Sequence, residues 1–113
     1  METRLSSSLL VGALKRKCES GGGFAAVLAK GDPDAGAILV ILAERGRKLR
    51  IMERTLGPQG RYAWQDVVEQ AAENEDEIGK FLSRRRTYDP DLWIIELDIA
   101  SAERFAAEMN EAV

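Results

Sequence analysis

Residues 35–43, Ala-Gly-Ala-Ile-Leu-Val-Ile-Leu-Ala, form a stretch without a single charged or hydrogen-bonding side chain, and this stretch constrains the fold more than any other part of the chain. It is too short for a typical buried helix and far below the roughly 20 apolar residues that a membrane-spanning helix needs. Its Ile, Leu and Val content points to a strand. A strand that is apolar at every position must be covered on both faces, which places it at the centre of a sheet.

The neighbouring segments supply the rest of a small α+β domain. Over residues 5–19, Leu10, Leu14 and Cys18 recur at helical spacing, with Lys15 and Lys17 elsewhere on the wheel, so one stripe is buried. Gly21, Gly22 and Gly23 stop that helix; without GxGxxG spacing or a following Lys-Ser/Thr they do not read as a phosphate loop. Residues 24–29 read as a first strand. Gly46 marks a turn, so residues 36–56 read as a hairpin, and Gly57-Pro58-Gln59-Gly60 leads into a fourth strand ending by Val68. Asn74 with Glu77 resembles a capping box. The helix that follows carries acidic residues at its start and Arg84, Arg85 and Arg86 at its end, matching its dipole. Pro90 ends it. Residues 92–99 then form a strand with Trp93, Ile95, Leu97 and Ile99 on one face, and Ser101 caps a last helix carrying Phe105, Ala106 and Met109.

The predicted order is α-β-β-β-β-α-β-α: a mostly antiparallel sheet of about five strands with helices packed on one face, forming a single domain over residues 1–113. No signal-peptide pattern is visible, because Gly12 and Lys15-Arg16-Lys17 break up Leu9-Leu10-Val11. With one cysteine, Cys18, there is no disulfide framework. A reducing cytoplasm is the expected compartment and no membrane association is expected.

One tripeptide occurs twice, as Asp32-Pro33-Asp34 and Asp89-Pro90-Asp91, each time just before a strongly apolar strand. Proline fixes its own φ and pushes the preceding residue to extended geometry, and an aspartate can accept a nearby backbone N–H, so the unit is a self-bonding entry to a strand. That structural role is the favoured explanation. The functional alternative requires the two following strands to lie side by side and parallel. Asp32, Asp34, Asp89 and Asp91 would then gather at one end of the sheet as ligands for a hard divalent cation, and Gly31 and Gly36 would let a ligand approach the backbone.

Pro90-Asp91 followed by Glu96-Leu97-Asp98 resembles the Pro-Asp, acidic-x-Lys arrangement of metal-dependent nucleases, with Asp98 in place of the lysine that would orient the attacking water. The competing explanation makes Glu96 and Asp98 the solvated face of an edge strand. Two basic clusters, Arg45, Arg47, Lys48, Arg50 and Arg54 on the hairpin and Arg84, Arg85 and Arg86 on the second helix, are candidate anion-binding groups if they merge on one surface. The net charge of −3 argues against a general polyanion binder.

The chain contains no histidine, which removes the commonest general base, the commonest metal ligand and every Ser-His or Cys-His pair. Catalysis would have to run on carboxylates, Lys, Arg or Tyr. The preferred reading is therefore a non-enzymatic binding or interaction module without a cofactor, acting as a homodimer through a sheet edge or the terminal helix, or with a protein partner. The alternatives are a divalent-metal phosphodiesterase or nuclease using Asp32, Asp34, Asp89, Asp91 and Glu96, and nucleic-acid binding through the arginines.

At Lys30-Gly31-Asp32-Pro33-Asp34-Ala35-Gly36-Ala37-Ile38-Leu39-Val40 and Tyr88-Asp89-Pro90-Asp91-Leu92-Trp93-Ile94-Ile95-Glu96-Leu97-Asp98 the chain resembles a family of short bacterial proteins classed only as a domain of unknown function. The likeness runs from the first helix to Asp98, with Trp64 and Phe81-Leu82-Ser83-Arg84 in register. The resemblance implies a small cytoplasmic α+β domain and brings no catalytic residues.

Overall fold

A computed structural model describes residues 5–67 and 74–111. Three helices and five strands follow one another as α1 (Ser7–Ser20), β1 (Phe24–Ala29), β2 (Ile38–Glu44), β3 (Arg47–Leu56), β4 (Tyr62–Asp66), α2 (Glu75–Tyr88), β5 (Trp93–Asp98) and α3 (Ala102–Glu111). The predicted α+β class and element order hold. Val68, the expected limit of β4, lies outside the described residues.

The strands form one sheet in the order β1-β5-β2-β3-β4. β2, β3 and β4 are an antiparallel meander, β1 is antiparallel to β5, and β5 runs parallel to β2 with Ile38 opposite Trp93 and Ala43 opposite Asp98. The apolar run occupies the third and central position. Residues 38–43 are all buried, Leu39 to Ala43 completely, as a doubly covered strand requires.

Coverage comes from two sides, which corrects the expectation of helices on one face. Val11, Leu14 and Cys18 of α1 and Phe105, Ala106 and Met109 of α3 pack on Val40, Leu42, Ile95 and Leu97. On the opposite face Ile78 of α2, with half-buried Phe81 and Leu82, covers Leu39, Ile41 and Ile94. The physical reason lies in β2 itself: its odd-numbered residues are as apolar as its even-numbered ones, so a single helical layer would leave Leu39 and Ile41 in water at about 1.5–3 kcal/mol each. A second correction concerns β5. It is flanked by β1 and β2 and is no edge strand. The Asp98 carboxylate accepts the N–H groups of Arg45 (2.9 Å) and Gly46 (2.7 Å), whose positive φ values of 53° and 80° make the β2–β3 turn.

The starts of α2 and α3 are capped, one locally and one from a distant strand. Asn74 Oδ1 accepts from Asp76 and Glu77 at the start of α2, as the capping pattern predicts. At α3 the capping acceptor for Ala102 N–H is Glu44 Oε1 of β2 (3.2 Å), so the cap expected from Ser101 comes from another strand. Among the described residues no helix is long and apolar enough to cross a membrane.

Candidate functional site

Because β2 and β5 are parallel neighbours, the two Asp-Pro-Asp segments enter the sheet side by side. They join through their backbones. Asp32 N–H donates to the Asp91 carbonyl (3.0 Å), Trp93 Nε1 donates to the Asp32 carbonyl (2.7 Å), and Trp93 N–H donates to the Ala37 carbonyl (2.8 Å). Gly31 and Gly36 make this approach possible, since a Cβ at either position would collide with the Asp91 carbonyl oxygen. The close approach foreseen for a ligand is thus made by the second loop.

The carboxylates are turned to their own loops. Asp32 Oδ2 accepts from Asp34 N–H (3.2 Å) and Ala35 N–H (2.8 Å), and Asp89 Oδ1 accepts from Asp91 N–H (3.2 Å). Asp34 and Asp91 are exposed, and Glu96 stands further along β5 opposite Ala26 and Ile41. Among the described residues no group of three or more Asp, Glu, Cys or His is arranged to hold a metal ion. The first loop has a further structural use: the carbonyls of Asp34 and Pro33 accept from Ser7 N–H (3.1 Å) and Ser8 N–H (2.8 Å), bonding donors that α1 leaves open at its start.

The basic residues do not merge. Arg45 and Arg47 sit at the β2–β3 turn beside Asp98, whereas Arg84, Arg85 and Arg86 close α2 at the Asp-Pro-Asp end, a strand length of about 17–20 Å away. Several are bound to neighbours. Arg85 grips Glu53 through both nitrogens (2.9 and 2.8 Å), and this hydrogen bonding raises the guanidinium pKa further above its ordinary value. Arg86 Nη1 donates to the Leu92 (2.7 Å) and Lys30 (3.2 Å) carbonyls, and Lys48 pairs with Glu75 (3.2 Å). Arg50 bonds Asp66 through Nε and Nη2 (2.9 Å each) and Glu103 (2.8 Å), while Arg54 lies 4.1 Å over the Tyr62 ring.

The two edges of the sheet differ, and the sequence gives no sign of it. At β4, Asn110 of α3 accepts from Trp64 N–H (2.7 Å) and donates to the Trp64 carbonyl (3.1 Å), so its amide takes the place of one residue of a further strand. At the other edge, β1 reads Phe-Ala-Ala-Val-Leu-Ala without a charge, with Phe24 80%, Leu28 51% and Val27 39% exposed. Among the described residues Cys18 Sγ, donating to the Phe24 carbonyl (3.4 Å), is the side chain that bonds the β1 backbone. β1 itself carries neither the inward charges nor the prolines that usually close an edge. A bulge between Val27 and Ala29 is its one irregularity.

The fold is shared with solved structures. The crystal structure of a DUF1491 family protein from Caulobacter crescentus CB15 is 32% identical, with a TM-score of 0.80 over 90% of this chain and 94% of that one. An NMR structure of a DUF1491 family protein from Caulobacter crescentus CB15 is 31% identical, with a TM-score of 0.78 over 92% and 94%. The solution structure of protein Atu0922 from A. tumefaciens is 31% identical, with a TM-score of 0.73 over 88% and 89%. No curated protein matches the chain. The model of the family described as "Protein of unknown function (DUF1491)" matches residues 5–107, and the chain belongs to that family.

Proposed function

We propose that the protein is a non-enzymatic interaction module that takes an extended strand of a protein partner along β1. The observation that carries this reading is the contrast between the edges: the Asn110 amide occupies the β4 backbone at Trp64, while β1 is uncharged and presents Phe24, Val27 and Leu28 to solvent. An added strand gains main-chain hydrogen bonds from the edge and buries these side chains, which is how sheet edges recognise extended peptides. The carboxylate-metal reading has less support, because Asp32 and Asp89 are engaged with their own loops. The nucleic-acid reading has less support as well, because Arg45 and Arg47 stand at the opposite end of the sheet from Arg84, Arg85 and Arg86, and Arg50, Arg85 and Arg86 are engaged with neighbours.

One titration separates these readings. Short uncharged Val- and Ile-rich peptides added to isotope-labelled full chain shift the amides of β1 and its neighbour β5. Mn²⁺ at millimolar concentration leaves the amides around Asp34 and Asp91 sharp. Peptide-independent spectra together with selective Mn²⁺ broadening at the two Asp-Pro-Asp loops would overturn the proposal in favour of the metal site.

A further inference from the structure

Resting on that reading of β1, we infer that the strand it takes is the β1 of a second copy of this chain. The two strands would run antiparallel about a two-fold axis, joining two five-stranded sheets into one of ten strands.

Three observations favour a second copy over an unrelated peptide. A two-fold axis sets a strand against itself, so every charge near the axis meets its like, and β1 carries no charge from Phe24 to Ala29. The charges that bracket it are complementary under the same operation. Lys30 follows β1 at one end, while Glu96 and Asp98 of β5 stand opposite Ala26 and Phe24 towards the other. An antiparallel partner paired about the middle of β1 therefore sets each Lys30 towards the end at which its mate carries Asp98, whose carboxylate also accepts the Arg45 and Gly46 N–H groups. Finally, the bulge begins only after Val27, which leaves Phe24 to Val27 in regular register with β5 and lets the two-fold axis pass beside Ala26, setting it opposite its own copy.

The size of the contact fixes the strength expected. A six-residue strand is about 17–20 Å long, so a strand-only interface falls at the small end of specific interfaces and the dimer is weak and concentration-dependent.

Sedimentation equilibrium of the full chain, from micromolar to near-millimolar concentration, tests this together with two lysine variants. Ala26 is exposed and opposite Glu96, so Ala26→Lys keeps its fold; Leu28→Lys, also exposed, is the second variant, and each is checked by its amide spectrum. The wild-type chain dimerises, and either substitution weakens the dimer by about tenfold or more. Ala26→Cys gives a disulfide-linked dimer on oxidation, whereas Thr87→Cys, exposed on α2, does not. A dimer as tight in both lysine variants as in the wild type overturns the inference, because association then uses another surface. A monomer at every concentration that still shows peptide shifts on β1 overturns the second copy and leaves the strand-taking reading standing. A monomer with no peptide response removes both.

Discussion

Asn110 holds Trp64 by both backbone groups, 2.7 Å from its N–H and 3.1 Å from its carbonyl, across 46 residues of sequence. One helix side chain therefore bonds both backbone groups at the β4 edge, whereas among the described residues the β1 backbone receives a side-chain bond from the Cys18 thiol alone, at the Phe24 carbonyl. Asn110→Ala is expected to cost about 1 kcal/mol in urea unfolding and to speed exchange of the Trp64 amide. Unchanged Trp64 exchange would mean that the amide does not guard this edge.

The junction of the two Asp-Pro-Asp loops predicts an order of mutational effects opposite to that of a metal site. Gly31→Ala or Gly36→Ala drives a methyl group against the Asp91 carbonyl, and each is expected to destabilise by about 1–3 kcal/mol. Asp32→Ala loses two accepted N–H bonds and costs about 1 kcal/mol, whereas Asp34→Asn and Asp91→Asn stay within about 0.5 kcal/mol of wild type. Chemical denaturation of the five variants checks the ranking.

Much of this fold is legible in the sequence because its determinants are local or periodic. The doubly apolar β2, the Gly46 turn and the Asn74 cap all lie within a few residues of their cause. The run in β2 also implies cover on both faces, but α2 shows a weak apolar stripe in which only Ile78 is fully buried, so its layer was not legible. The pairing of the tripeptides hinges on β2 and β5 being parallel neighbours, a relationship between segments 55 residues apart in register. The state of the edges is hidden for the same reason. Phe-Ala-Ala-Val-Leu-Ala reads alike in a core or at an edge, and nothing near Trp64 announces Asn110.

The arginines divide into structural and solvent-facing ones. Arg85→Ala leaves the half-buried Glu53 without its bidentate partner, and Arg86→Ala frees the Leu92 and Lys30 carbonyls; each is expected to lower unfolding free energy by about 1–2 kcal/mol. Arg45→Ala and Arg84→Ala should be close to neutral in the same assay. If all four were neutral in stability and instead weakened retention on an oligonucleotide column, the anion-binding reading would regain ground.

Cys18 gives the protein an alkaline liability. Burial raises its thiol pKa above the ordinary 9.0, with the negative charges of Glu19 and Asp98 adding to the effect. A group whose folded pKa is raised contributes stability that is complete below its unfolded pKa. That stability is lost as pH rises from about 9 towards the folded value, by up to about 1.4 kcal/mol per pH unit. Unfolding free energy measured from pH 7 to 10.5 should therefore fall above pH 9 in the wild type and fall less in Cys18→Ala. Parallel curves for the two proteins would rule out this origin.

Native-state amide hydrogen exchange tests the difference between the two sheet edges most directly. In a dilute solution of the chain the Trp64 amide is predicted to be protected by Asn110, while the β1 amides that point away from β5 exchange close to the unprotected rate. Raising the chain to near-millimolar concentration, or adding a strand-forming peptide, is predicted to slow those β1 amides by at least about tenfold and leave Trp64 unchanged. Exchange in β1 that ignores both concentration and peptide, or protection that appears along β4 instead, would contradict the assignment of β1 as the edge that takes a partner strand.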